Sequence, residues 1–408
     1  MTSFDSPPQL NVWRALLALA VVFVMLATTG WTAIRNHRGP ATPLEASLSA
    51  WERGDLGGRR LPDADAEPAR LARFFASLNV QQRTRLATRY PLAVGNMNGA
   101  PVKLRYRANR VALDQARKVE RKRMHDDRLS PAGQHEAGRR MHRFEDLLQE
   151  GRQILAFDPN GSGRVAEVFG DLGKAQRVSV VVPGVDSDLL NFQRTDREYS
   201  APVGMAKSLY EAERAASTDS GTRTAVIAWA DYTAPSGVGM DAATAMRAED
   251  GAVRLNALVR ALPGRMPVAL VCHSYGSVLC GVAARTLPSR VSDIAVAGSP
   301  GMRAEKATQL RTSARVWAMR DSDDWVQDVP YLEVGGLGHG ADPMSRAFGA
   351  RVLSAQGAKG HGGYFVPGTE SLRNFAEIGI GAYRAVRCAH ENVVCSKGLS
   401  DVAEAGRA

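Results

Sequence analysis

The sequence predicts an α/β fold, a mostly parallel sheet with helices on both faces, preceded by a transmembrane helix and a helical segment. Three observations carry that expectation. From Gln153 onward, short apolar runs alternate with stretches of helical periodicity, which is the rhythm of βα units. One of these runs, Val268-Ala269-Leu270-Val271-Cys272-His273, passes directly into Ser274-Tyr275-Gly276-Ser277 and then into an apolar stretch through Ala284. That pattern is a buried strand, a sharp turn of small residues and a helix. Near the other end, Ala15 to Ile34 gives 20 residues without a charge, roughly the 20 needed to span a bilayer as a helix.

Taken in order, residues 1–35 read as an N-terminal tail and transmembrane anchor. Trp13 and Trp31 sit near the ends of the apolar stretch, where interfacial aromatics are common. A signal peptide would have a shorter apolar core, about 7–15 residues, ending at small residues. Residues 36–68, with four prolines, several glycines and mixed charge, read as a tether. Residues 69–152 form a basic helical segment. Leu71, Phe74, Phe75 and Leu78 fall at helical spacing, and Asn79-Val80-Gln81-Gln82 has the form of a capping box opening a second helix that ends near Pro91. Pro101 to Glu150 reads as long amphipathic helices, with the basic run Arg117 to Arg123 on a solvated face.

Residues 153–385 carry the α/β pattern, and 386–408 a C-terminal tail. Ile154–Phe157 and Arg164–Phe169, separated by Asp158-Pro159-Asn160-Gly161-Ser162-Gly163, predict a β-hairpin. Strands are expected at 178–182, 224–229, 268–273, 294–297, 315–319 and 350–354. Helices are expected at 206–216, 242–262, after Ser274, and at 370–380. No internal repeat is visible.

A hydrophobic content of 44% with 23% charged residues is ordinary for a folded chain and excludes global disorder. The net charge of +10 is unevenly placed. Residues 1–155 hold 25 Lys/Arg against 15 Asp/Glu, and the rest of the chain holds 27 of each. The excess lies beside the apolar stretch, where it favours anionic headgroups. Without a recognised binding module or interleaved aromatics it does not point to nucleic acid. Arg14 precedes the apolar stretch while Arg35 and Arg38 follow it, which taken literally keeps the large domain cytoplasmic. Cys388 and Cys395 argue the other way. Their spacing suits a small disulfide loop in an oxidising compartment, so the domain is read as extracytoplasmic. Cys272 and Cys280 read as small buried apolar residues.

The chemistry follows from Ser274. A serine needs a base to attack at neutral pH, and the base needs an acid to fix its tautomer. On an α/β-hydrolase fold these partners follow in the order Ser, acid, His. Beyond the strand ending at Met319 lies Asp321-Ser322-Asp323-Asp324-Trp325-Val326. Asp324 leads because its segment turns back into an apolar residue, with Asp321 and Asp323 as alternatives. Three later histidines are available: His339, His361 and His390. His361, in Gly360-His361-Gly362-Gly363-Tyr364, falls between the last strand and the closing helix, where the fold places its base. His273 packs or hydrogen-bonds beneath the turn. The oxyanion donors are expected to be the N–H of Tyr275 and that of Val185 or Gly184, in Pro183-Gly184-Val185-Asp186. No metal, nucleotide or organic cofactor is suggested.

Together these elements resemble a poorly characterised bacterial α/β-hydrolase family with a Gly-His-Ser-Tyr-Gly-Ser elbow. This chain has Cys272-His273-Ser274-Tyr275-Gly276-Ser277, the upstream Val182-Pro183-Gly184-Val185 and the downstream Gly360-His361-Gly362-Gly363-Tyr364. Gly298-Ser299-Pro300-Gly301 and His339-Gly340-Ala341-Asp342-Pro343 are also similar to the family. The resemblance implies an α/β-hydrolase fold and a Ser274–Asp324–His361 triad; Cys272, in place of the first glycine, departs from the pattern. The expected function is a single-pass membrane-anchored serine hydrolase acting on an ester, thioester or amide, with a small-molecule or lipid-like acyl substrate. The alternatives are an inactive binding or scaffold protein of the same fold, in which Cys272 crowds the turn, and a peptidase or acyltransferase using the same three residues.

Overall fold

The computed structural model describes residues 41–217, 221–389, 393–397 and 399. The apolar stretch Ala15–Ile34 and His390 lie outside these residues. Among the described residues no helix is long and apolar enough to cross a membrane.

Eight strands form one sheet: β1 (Ile154–Asp158), β2 (Arg164–Phe169), β3 (Arg177–Val182), β4 (Thr224–Ala230), β5 (Val268–His273), β6 (Val291–Ala297), β7 (Arg315–Met319) and β8 (Arg351–Val352). Their order across the sheet is β1-β2-β4-β3-β5-β6-β7-β8. β1 pairs antiparallel with β2, as does β2 with β4, and every other pair is parallel. The hairpin and each later strand lie where the apolar runs predicted them, although β8 is shorter than 350–354.

The central strands β3, β4 and β5 are buried along their whole length. That explains their nearly continuous apolar sequences, because a parallel sheet is covered on both faces. The period of two sorts their side chains. Val180, Val182, Leu270 and Cys272 face α8 (Met246–Ala261) and α9 (Tyr275–Ala283), in one core. Val181, Ala269 and Val271 face α7 (Pro202–Ala216) and α10 (Glu370–Ile380), in the other.

The stretch read as a tether contains a helix, α1 (Pro43–Glu52), which begins on a proline, the residue whose missing N–H costs nothing at a first helical position. Its Trp51 is fully buried against Phe75 and Tyr90, in a third core shared with α2 (Pro68–Ala76), α3 (Val80–Arg89), α4 (Pro91–Asn96) and α5 (Val102–Arg123). The proline content hid this, because one buried indole outweighs weak local propensity. The Asn79–Gln82 capping box forms as its sequence predicts.

The helical segment shields the edge strand. Asn96 receives the Phe157 N–H and donates to the Phe157 carbonyl, while Asn109 donates to the Ile154 carbonyl at 2.9 Å. An open edge of backbone groups is thereby closed. α6 (Pro131–Leu147) packs along α5, and the basic run lies in surface ion pairs such as Arg117–Asp114 and Arg121–Glu145. The described residues from Pro43 onward form one compact unit.

Candidate active site

The β3–β5–β6 register brings Val182, Cys272 and Val296 level, so the segments that follow emerge together at the carboxyl edge of the sheet. Crevices outside that edge are where open α/β sheets bind ligands. Here they bring together Pro183–Val185, Ser274 and Gly298.

Ser274 has φ 55°, a left-handed conformation that a non-glycine residue adopts only at a cost of about 1–2 kcal/mol. Its N–H donates to the Ala297 carbonyl at 3.0 Å. Ser277 Oγ lies 2.6 Å from the Ser274 carbonyl oxygen and 2.7 Å from Ser299 Oγ, tying the turn to the Gly298–Gly301 stretch. Gly276 is required by close approach, since a Cβ there would meet the Val182 carbonyl oxygen at 2.2 Å.

His361 Nε2 lies 2.8 Å from Ser274 Oγ, and its Nδ1 lies 2.9 and 3.1 Å from the two carboxylate oxygens of Asp324. Of the acids considered, Asp324 reaches the imidazole. It is fully buried, and its Oδ1 also accepts the Val326 N–H at 3.0 Å. Burial pushes its carboxyl pKa up, but hydrogen bonds from His361 and Tyr364, with the His361 charge, outweigh that and hold it below the ordinary carboxylate value. Asp321 accepts the Gly360 N–H at 2.7 Å and so fastens the loop that carries His361, while Asp323 is exposed.

His339 is not part of this chain of bonds. Its Nε2 donates to the Ala242 carbonyl at 2.7 Å, and burial lowers its pKa. His273 donates from Nε2 to the His361 carbonyl at 2.7 Å. Burial, followed by the nearby His361 charge, lowers the His273 pKa to about 3, so it stays a neutral donor.

Tyr275 opens α9, and the first N–H groups of a helix have no partner within it. Gly184 lies against the serine: a Cβ on it would sit 2.6 Å from Ser274 Cβ. Tyr232 donates its hydroxyl to the Pro183 carbonyl at 2.7 Å, and Asp186 accepts the Gly237 N–H, so the Gly184–Val185 turn is held from both sides. Gly298 takes φ 54°, and a Cβ there would lie 2.7 Å from Asp324 Oδ2 and 3.0 Å from His361 Nδ1.

The sequence reading missed one covalent feature. Cys272 and Cys280, expected as two separate apolar residues, form a disulfide. The signal was their placement, one near the end of a strand and the other in the second turn of the following helix, on the face where the two elements touch. Cys388 and Cys395 form the second disulfide. Tyr364 and Gly298 were visible only as members of motifs, without a role.

The cleft over Ser274 has a volume of about 980 Å³ and is open to solvent. Its walls carry Arg194, Arg197, Glu198 and Lys359, and Trp325 lies 4.9 Å from the His361 ring, centroid to centroid.

This strand order, with its strained serine turn, is that of the α/β-hydrolase fold. Residues 158–334 match a family model described as alpha/beta hydrolase. Two curated relatives, uncharacterized proteins MT2140 and Rv2079 from two strains of Mycobacterium tuberculosis, are each 27% identical over 379 residues. The match covers 79% of this chain and 57% of each relative, so the chain spans little more than half the length of the curated relatives it matches. Among solved structures, 2,6-dihydroxy-pseudo-oxynicotine hydrolase aligns over 83% of this chain and 93% of its own, at 9% identity and TM-score 0.36. Est1E from Butyrivibrio proteoclasticus aligns over 57% and 99%, at 10% and 0.33. XC6422 from Xanthomonas campestris, described as an a/b serine hydrolase without lid, aligns over 57% and 94%, at 14% and 0.34.

Proposed function

We propose that the protein is a serine hydrolase that cleaves an ester, thioester or amide through an acyl-enzyme. The observation that carries this reading is the continuous Ser274–His361–Asp324 hydrogen-bonded chain at the carboxyl edge of the sheet. Ser274 Oγ attacks the acyl carbon as its proton passes to His361 Nε2, and Asp324 stabilises the imidazolium through Nδ1–H. The oxyanion is received by the N–H groups of Tyr275 and of Val185 or Gly184. His361 then protonates the leaving group, and a water deprotonated by the same nitrogen releases the acyl group. The same residues serve a peptidase or an acyltransferase, which differ in the bond broken or in the acceptor.

Within the range from small-molecule to lipid-like substrates, the cleft favours a polar one with a short acyl group. Charged side chains of both signs line it, and it is open rather than tunnel-like. The test is hydrolysis of p-nitrophenyl esters of increasing chain length. The reading expects highest kcat/KM for short acyl chains and no turnover by Ser274→Ala or Asp324→Asn. Wild-type-like turnover by Ser274→Ala would overturn it.

We further propose that Ala15–Ile34 anchors the domain on the extracytoplasmic side of a membrane. Support comes from the uncharged length of that stretch and from two disulfides, which persist in oxidising compartments. Protease accessibility in intact and permeabilised cells tests it: digestion without permeabilisation is expected, and full protection would overturn the orientation.

A further inference from the structure

Cys272 stands two residues before Ser274, where the strand–turn–helix motif usually has its first glycine. Strand alternation turns its side chain toward α9, where it meets Cys280, with the two Cα atoms 6.6 Å apart. Both side chains are fully buried. The bond closes a short loop that contains the whole turn, including Ser274 and the Tyr275 N–H.

Two glycines fix the same helix from other directions. A Cβ at Gly276 would lie 2.2 Å from the Val182 carbonyl oxygen, and one at Gly281 would lie 2.0 Å from the Met302 carbonyl oxygen. α9 therefore has no room to advance toward β3 or toward Met302. Packing at these two points does not oppose movement of the helix away from them, and the disulfide ties it back to β5. Retreat would relax the left-handed Ser274 and carry the helix N-terminus away from it.

We propose that the Cys272–Cys280 disulfide is a positioning device for the nucleophile, a covalent clamp that holds the strained serine and the Tyr275 N–H in fixed relation. This rests on the reading of Ser274 as the nucleophile. The cysteine in place of glycine is then one half of the clamp rather than an obstruction of the turn.

The chain supplies its own control. The two disulfides have sequence separations of 8 and 7, so removing either relaxes a nearly equal loop constraint on the unfolded chain. The experiment compares C272A/C280A with C388A/C395A by thermal midpoint, by inactivation with a fluorophosphonate and by amide hydrogen exchange of residues 274–281. C272A/C280A is expected to lower kinact on the order of tenfold with KI unchanged, a loss of geometry rather than of binding. It should also speed exchange in that segment. C388A/C395A should leave both near wild type at a comparable fall in midpoint. Equal effects of the two pairs, or unchanged kinact and exchange in C272A/C280A, would overturn the proposal. Absence of labelling in the wild type would count against Ser274 as nucleophile. The exchange comparison would then still decide whether the bond holds the turn.

Discussion

Tyr364 donates its hydroxyl to Oδ2 of Asp324, and the Tyr364 hydroxyl oxygen itself accepts the Asp321 N–H at 3.0 Å. The tyrosine follows His361 by three residues, so one short loop delivers both the imidazole and a second donor to the same buried carboxylate. Tyr364 is fully buried, and burial, with Asp324 beside it, pushes its hydroxyl pKa up, so it remains a donor.

Tyr364→Phe should therefore weaken the acid without removing it. A hydrogen bond to a charged group contributes about 1.5–3 kcal/mol, so kcat/KM should fall about tenfold or more. Tyr364 helps hold Asp324 below the ordinary carboxylate pKa, so in the variant Asp324 protonates at higher pH. The acid-side loss of activity should then begin at higher pH. A pH–rate profile of both proteins checks the shift.

Gly298→Ala should disable the site more severely. The new methyl group would collide with Asp324 Oδ2 and His361 Nδ1 in a backbone conformation that disfavours any Cβ. Activity should fall by about 100-fold or more, the scale of a misplaced catalytic group. Destabilisation should be on the order of 2–5 kcal/mol, the positive-φ penalty plus the cost of displacing the crowded Asp324 and His361 side chains. Kinetics and thermal melting of one preparation separate the two effects.

Glu213 predicts a pH dependence of stability. It is fully buried, and desolvation raises its pKa from 4.5 to about 7, even against the hydrogen bond from Ser179 and the Arg177 charge. The folded state then binds a proton that the unfolded state has already released. Stability is full below pH 4.5 and declines as pH rises to about 7, by on the order of 3 kcal/mol for that group. Glu213→Gln should flatten this limb in denaturant melts across that window.

Trp325 is 48% exposed and faces both the cleft and the His361 ring. Trp325→Ala should raise KM for aryl esters by about fivefold, the loss of one aromatic contact, with kcat near wild type. Steady-state kinetics checks this division.

Much of this architecture was legible in the sequence because its signals are local. Nearly continuous apolar runs marked β3, β4 and β5, and the spacing of Asn79 and Gln82 marked a helix start. Ser274 and His361 were legible because a strained turn and a glycine-flanked loop demand particular residues. Asp324 was less so, because the choice among three neighbouring acids depends on which one the 3₁₀ turn at Trp325–Asp328 buries.

What escaped were relations across the fold. Trp51 sits in a proline-rich stretch whose helix is stabilised by partners 24 and 39 residues away, Phe75 and Tyr90. The Cys272–Cys280 bond depends on the side of the sheet that α9 covers, which a single strand's alternation does not specify. The room that Gly298 leaves for the Asp324–His361 pair likewise depends on three separate loops.

The proposed activity stands on Ser274 being a nucleophile activated by His361. Its most direct test is intact-mass and peptide mapping after treatment with a fluorophosphonate. One phosphonyl adduct per chain is expected, on Ser274, absent in Ser274→Ala and formed far more slowly in His361→Ala. A folded protein that acquires no adduct, or acquires it on another residue, would contradict it.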